Sequence, residues 1–498
     1  MKWQDFPEDL QPYLLPQPAG RMVYRCLECG AEYGIDQLLY TCPHCQGLFL
    51  LVDLDADRLK KHPGSFWRRL FDYRRLLNDP SVQGVFCYHE LIAPIIPRED
   101  IVYLGECHTP QVQANPRLQD EVGLAFYFKN DGQNPSASFK DRGMAAALSY
   151  LQFIIRTQKL AGVLAICAST GDTSAAAALY AAYLGDKVAS AVLLPHGKVT
   201  PQQLSQPLGA GARVLEIPGV FDDCMRVVEA LSEHYHVALL NSKNSWRIRG
   251  QESYAYEVAQ YFDYDLAGKV IVVPIGNAGN ITAVLEGLLR CHDLGIIETL
   301  PKVIGVQSRH ANPVFRYYQE KNPHRRLFVP VTVQPSVAQA AMIGRPVSMP
   351  RVIRLVEEYC RRSGEDSFAV VEVTEQEIMD NMLLANRNGH IACTQGGESL
   401  AGLRAALRLG LVQKDDLAVV DATAHHLKFI GFQQMYFDNS FPPEFEVSPQ
   451  PAYQNRPQLL TPATPPGHSP WSPEDIQEFT RDMVAQVAAT LGLQKRQQ

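Results

Sequence analysis

No apolar run in the 498 residues is long enough to span a bilayer, and the opening Met1-Lys2-Trp3-Gln4-Asp5-Phe6 lacks the hydrophobic core of a secretory signal. Positive charge is not in surplus either. The formal net charge is -7, which speaks against nucleic acid as the main partner. The glycine loop Gly276-Asn277-Ala278-Gly279-Asn280 lacks the third glycine of a dinucleotide fingerprint and the lysine of a P-loop, so nucleotide binding is disfavoured. Of the eleven cysteines, seven are scattered without regular spacing, as core thiols of a reducing compartment would be. The expectation is a cytoplasmic protein with no membrane partner. A hydrophobic content of 46% is ordinary for a globular chain of two or three domains.

The remaining four cysteines do have a spacing. Cys26-Leu27-Glu28-Cys29-Gly30 and Cys42-Pro43-His44-Cys45-Gln46-Gly47 form two C-x-x-C knuckles whose four thiolates have the reach to close a tetrahedral zinc site. Four sulfur ligands leave no open position, so the metal's role is structural. The alternative is two disulfides or free thiols. An isolated zinc ribbon can also bind nucleic acid, which keeps a non-catalytic ribbon adaptor as a competing class.

Chemistry enters with Asn134-Pro135-Ser136-Ala137-Ser138-Phe139-Lys140-Asp141-Arg142-Gly143, a lone lysine among small residues where loop turns into helix. A lysine amine becomes a catalyst when it is desolvated or condensed with an aldehyde, and a small-residue loop lets a flat ring approach the backbone. The plain alternative makes Ser138 an N-cap, with Lys140 and Arg142 solvated in the first turn.

Two further loops each follow a strand-like apolar run and precede a helical segment. After Gly162 to Ala168 come Ser169-Thr170-Gly171-Asp172-Thr173-Ser174 and an alanine-rich run. These hydroxyls and N–H groups at a helix N-terminus suit a substrate carboxylate. Asp172 would repel an anion there, so it is expected to cap backbone donors or to face a phenolic or amino group. After Lys269 to Ile275 comes Gly276 to Asn280, which makes a nest for a phosphate monoester, or else a plain tight turn. A phosphate nest, a carboxylate loop and a loop-borne lysine together describe pyridoxal 5'-phosphate acting on an amino acid.

With these motifs in place, roughly residues 60 to 435 resemble the pyridoxal-phosphate enzymes of the tryptophan-synthase-β fold type, and within them the threonine synthases, plant-type branch. The matching stretches are the lysine loop, Ala168 to Ala175, Gly276 to Asn280, Asn241-Ser242-Lys243-Asn244 with Arg247, Gly250 and Gln251, and Thr423-Ala424-His425-His426-Leu427-Lys428-Phe429. Ala137 and His426 stand where the family has glycine, Ser136 stands where threonine is common, and Thr394 to Glu398 departs from the family pattern. The resemblance implies Lys140 as the catalytic residue. It places Gly276, Asn277, Ala278, Gly279 and Asn280 on the cofactor phosphate and the Thr423 hydroxyl on the pyridine nitrogen. A hydroxyl there leaves the ring a weaker electron sink than a carboxylate would. Read without the resemblance, Thr423 is a strand-end hydroxyl bonded to backbone.

The implied reaction converts O-phosphohomoserine and water to threonine and phosphate by γ-elimination and β-addition. Ser169, Thr170, Gly171, Asp172 and Thr173 are candidates for the substrate, and Ser138, Arg142 and Lys198 for its phosphate. A surface lysine and a helix-face arginine are the plain alternatives for the last two. The nearer rival reactions are those of an enzyme acting on O-phosphoserine and of a serine or threonine dehydratase.

The expected fold is α/β, with a two-domain parallel-sheet region of the tryptophan-synthase-β type. The ribbon occupies 1–55, the catalytic region 56–440 with a smaller domain inserted at about 145–240, and a strap with a C-terminal helix 441–498. Residues 442–473 hold ten of the 34 prolines. The helix after Ser472-Pro473-Glu474-Asp475 shows Ile476, Phe479, Met483, Val487 and Leu491 on one face, a pattern that predicts docking. A homodimer is expected.

Overall fold

In the computed structural model, residues 3–169, 171–197, 199, 201–219, 221–463 and 472–496 are described. Two compact units divide the chain, residues 1–448 and 449–498, so the cysteine knuckles share a unit with the catalytic region.

Near the N-terminus β1 (Met22–Cys26), β2 (Glu32–Gly34) and β3 (Phe49–Asp53) form an antiparallel sheet ordered β2-β1-β3. The knuckles lie at its turns, with Cys26 opposite Phe49 in the ladder. Among the described residues ten more strands follow: β4 (Gln111–Gln113), β5 (Phe126–Lys129), β6 (Val163–Ala168), β7 (Val188–Pro195), β8 (Arg213–Ile217), β9 (Val237–Leu239), β10 (Lys269–Pro274), β11 (Lys302–Ser308), β12 (Phe368–Val373) and β13 (Leu417–Asp421). They build a four-stranded sheet ordered β8-β7-β6-β9 and a six-stranded sheet ordered β12-β11-β10-β13-β5-β4. All neighbours are parallel except β4 against β5.

Strands such as Val270-Ile271-Val272-Val273 are buried throughout, as they must be when helices cover both faces of a parallel sheet. The order of the large sheet decides where the site forms. Ligands bind beyond the carboxyl ends of parallel strands. Because β10, β13 and β5 are adjacent, the phosphate loop, Thr423 and the lysine loop that follow them are neighbours, although they span nearly 300 residues of chain.

In the unit 449–498 a helix runs Pro473–Leu491 behind a capping box of Ser472 and Asp475. Asp482 accepts from the Ala463 amide at 2.7 Å, and Gln486 donates to the Thr461 carbonyl at 2.9 Å, tying helix to strap. Ile476, Val487 and Leu491, read from the sequence as a docking face, are exposed.

Candidate active site

One large cavity, about 880 Å3, collects the chemistry, and its volume falls in the range of small-molecule sites. Lys140, Ser169, Gly171, Asp172, Thr173, Gly276, Asn277, Ala278, Gly279, Asn280 and Thr423 all line it. Thr170 and Lys198 lie outside the described residues.

The lysine loop is stitched to the end of β13. Phe139 N–H donates to the Thr423 carbonyl and His425 N–H to the Ala137 carbonyl, both at 2.9 Å, and Ser138 bridges Ala424. Ala137 takes a left-handed φ of 64°, the conformation that makes glycine the family's usual choice at this position. The helix Lys140–Gln158 then starts with no side-chain cap, so the N-cap role weighed for Ser138 is not realised. Lys140 is half-buried and forms no ion pair among the described residues. Its Nζ sits 3.8 Å from the centre of the Phe139 ring. Burial foremost, then the charge of Arg247, lowers its pKa to about 7, so a large share of the amine is uncharged at neutral pH.

Arg247 reaches Lys140 through a close helix crossing. A Cβ on Gly250 would lie 2.2 Å from the Arg142 carbonyl oxygen, and one on Gly143 would lie 2.9 Å from that of Arg247. Only glycines let the helices Lys140–Gln158 and Ser245–Gln251 touch backbone to backbone here. Arg247 is 2% exposed and lines the cavity. Its Nη1 donates to the Leu240 carbonyl at 3.1 Å, while Nε has no partner. It forms no ion pair among the described residues, and burial lowers its pKa to about 10. A buried guanidinium without a carboxylate is a site for an anionic ligand.

In the phosphate loop the asparagine side chains serve the fold. Asn280 Nδ2 donates to Asp421 Oδ2 at 2.8 Å, while Asn277 Oδ1 accepts from Val347 N–H at 3.4 Å. Ala278 adopts φ 61° to turn the chain into the helix Gly279–Asp293. The first amides of that 15-residue helix have no intrahelical acceptor and border the cavity. The donor set therefore fits pyridoxal phosphate: a lysine of lowered pKa for the aldehyde, unpaired helix amides for the phosphate and the buried Thr423 hydroxyl for the ring nitrogen.

Asp172 meets an amino group, as its placement among anion-binding donors demanded. Lys428 Nζ lies 2.9 Å from its Oδ1 and donates to the Ser136 carbonyl at 3.0 Å, joining the two loops.

Two sequence candidates are corrected. Arg142 points away from the cavity into a buried cluster, pairing with Asp131 at 2.7 Å and with Glu257 at 2.5 Å, so its charge is already neutralised. Ser138 is fully buried and absent from the cavity wall. Arg247, buried on the cavity wall without an ion pair among the described residues, lies within a stretch that the family resemblance placed beside the site without a role. Asn241, Ser242 and Gln251 of that stretch also line the cavity, as does the irregular segment 330–345. The latter carries no periodic pattern that could have announced it.

The four cysteine sulfurs of the knuckles lie within 4.8 Å of one another, and all are free of disulfides. Cys26 and Cys45 are 3.4 Å apart, Cys29 and Cys42 3.7 Å. No helix of the described residues is long and apolar enough to cross a membrane.

Residues 102–422 match the family model of pyridoxal-phosphate dependent enzymes. Threonine synthase of Methanocaldococcus jannaschii is 34% identical over 416 residues, covering 82% of this chain and 93% of its own. Threonine synthase 2, chloroplastic, of Arabidopsis thaliana is 35% identical over 406 residues, covering 80% and 75%. Among solved structures, threonine synthase from Escherichia coli superposes with a TM-score of 0.60 at 22% identity, covering 82% of this chain and 89% of its own, a likeness of fold.

Proposed function

This chain belongs to the pyridoxal-phosphate dependent enzymes and, within them, to the threonine synthases, and from that membership we propose that it converts O-phosphohomoserine and water to threonine and inorganic phosphate. The observation that carries the substrate assignment is the pair of anion sites in one cavity. The amides at Gly276–Asn280 serve the cofactor phosphate, and Arg247, buried without a carboxylate, is left for a second phosphate on the substrate.

Pyridoxal phosphate, held by Lys140 until the substrate amine takes that place and frees the lysine, would supply an electron-withdrawing ring that makes the protons on the substrate's α and β carbons removable. Lys140, with its amine poised near neutrality, takes those protons and returns protons to Cα and Cγ. Arg247, with Asn241 and Ser242 on the same wall, holds the substrate phosphate and neutralises it as the Cγ–O bond breaks. Water then delivers its oxygen to Cβ. Ser169, Gly171 and Thr173 orient the substrate carboxylate at the start of the helix Asp172–Leu184. The Asp172–Lys428 pair fastens this loop to the lysine loop. The Thr423 hydroxyl on the cavity wall would hold the ring nitrogen and keep a bound ring a restrained electron sink.

The four thiolates hold a structural zinc ion in this reading, because their 3.4 and 3.7 Å separations approach the edge of a tetrahedron with zinc–sulfur bonds of about 2.3 Å. The enzyme is a cytoplasmic homodimer. A monomer mass from light scattering would count against the last point.

Phosphate release from O-phosphohomoserine, measured beside O-phosphoserine with chromatographic detection of threonine, tests the assignment. Threonine should form from the longer substrate. Turnover of the shorter one alone overturns the proposal.

A further inference from the structure

The cysteine-bearing sheet does more than cap the N-terminus, because its strands are bonded to the segment that builds the substrate wall. Cys26 lies opposite Phe49 in the β1–β3 ladder. The Phe49 carbonyl accepts from Ser245 Oγ at 3.0 Å and from Arg351 Nε and Nη2 at 3.0 and 2.7 Å. The same guanidinium donates to the carbonyls of Ser242 at 3.0 Å and Lys243 at 3.1 Å. Arg351 is buried, and its donors go to carbonyls and hydroxyls. It is a clamp between the ribbon and the residues just before Arg247.

A second link runs through Tyr24, two residues before Cys26 on the same buried face of β1. Its hydroxyl accepts from Trp246 Nε1 at 3.1 Å and donates to Tyr150 Oη at 3.0 Å. The Tyr150 and Trp246 rings stack at 4.5 Å. Trp246 precedes Arg247, and Tyr150 lies on the helix that begins at Lys140. The Phe49 ring packs against both Tyr24 and Tyr33, and the Tyr33 hydroxyl touches Cys42 Sγ at 3.4 Å.

We propose that Tyr24 and Arg351 are positioning residues for the reaction: through them the metal-held ribbon sets the register of residues 241–247, so that metal occupancy governs affinity for the substrate phosphate at Arg247. This rests on the reading of Arg247 as the substrate-phosphate group. A closed four-sulfur site performs no chemistry itself, but it fixes both knuckles, and with them the strands that carry Tyr24 and Phe49.

The test uses the holoenzyme and inorganic phosphate as the probe. Removing the metal with a chelator should speed backbone hydrogen exchange in 241–251, read by peptide mass spectrometry, and raise the phosphate concentration for half-saturation several-fold. Tyr24→Phe, with zinc and cofactor content unchanged, should reproduce a milder form of both effects and raise KM with little change in kcat. Exchange in 241–251 that ignores both chelation and Tyr24→Phe, with only the unfolding temperature falling, overturns the coupling. Arg247→Gln separates the two levels: if it binds phosphate as the wild type does while exchange still responds to chelation, the anion-site reading falls and the link from metal to segment stands.

Discussion

Asn280 Nδ2 donates to Asp421 Oδ2 at 2.8 Å, joining the last residue of the phosphate loop to the end of β13 two residues before Thr423. Burial foremost, then the charge of Asp131, raises the Asp421 pKa well above the usual carboxylate range. With its folded pKa above the unfolded one, the group contributes stability that is complete below its unfolded pKa and is lost as pH rises through the folded value. Asp421→Asn should therefore bind pyridoxal phosphate as the wild type does and hold its stability to higher pH. Asp421→Ala orphans the Asn280 amide and should cost about 1–3 kcal/mol, with weaker cofactor binding in an absorbance titration.

Lys140→Ala should lose the visible cofactor absorbance and reduce turnover by roughly 10²- to 10⁴-fold or more. Because its pKa is lowered to about 7, the neutral amine predominates above neutrality, well below the range where free lysine deprotonates. The rate at which apoenzyme reloads pyridoxal phosphate should rise with pH around a midpoint near 7, followed by stopped-flow absorbance. A midpoint near 10 contradicts the geometry.

Arg247→Gln should raise the KM for the phosphorylated substrate by roughly 10- to 100-fold, the worth of a charge-assisted hydrogen bond, and leave cofactor content intact. Steady-state kinetics beside a cofactor assay separates the two.

Arg142→Met leaves the buried carboxylates of Asp131 and Glu257 without this partner and should cost about 3–5 kcal/mol in a denaturant titration. The Glu257–Lys129 contact at 2.6 Å remains and softens the loss. Selective loss of substrate affinity at unchanged stability would return Arg142 to the anion site.

Cys42→Ser should remove most of the bound zinc by metal analysis and lower stability by roughly several kcal/mol, with the chemical step retained at saturating substrate. Loss of kcat in step with zinc would make the metal part of the chemistry.

The site was legible wherever its chemistry is local. The lysine loop, the Gly276–Asn280 turn, Thr423 and the four cysteines each carry a short motif at the end of a strand or knuckle, and such motifs survive without knowledge of packing. Arg142 was read as a group for the substrate phosphate because its partners Asp131 and Glu257 lie 11 and 115 positions away, where no local motif shows that its charge is already paired. The converse holds for Arg247. Its unpaired burial arises from the helix contact at Gly143 and Gly250, which no spacing announces. The Pro473–Leu491 helix was readable from its cap, whereas the fate of its apolar stripe was not, since amphipathicity states a need for cover without naming what supplies it.

The position of β13 has a consequence for synthesis of the chain. Among the described residues it is the last strand made and the one that separates β10 from β5, pairing with both. A nascent chain halted before Leu417 has two half-sheets with no shared hydrogen bonds, and its aldehyde-binding amine and its amide nest have no common scaffold. Vitamin capture should thus need the final β-segment, and a chain truncated before Leu417 should fail to take up the aldehyde.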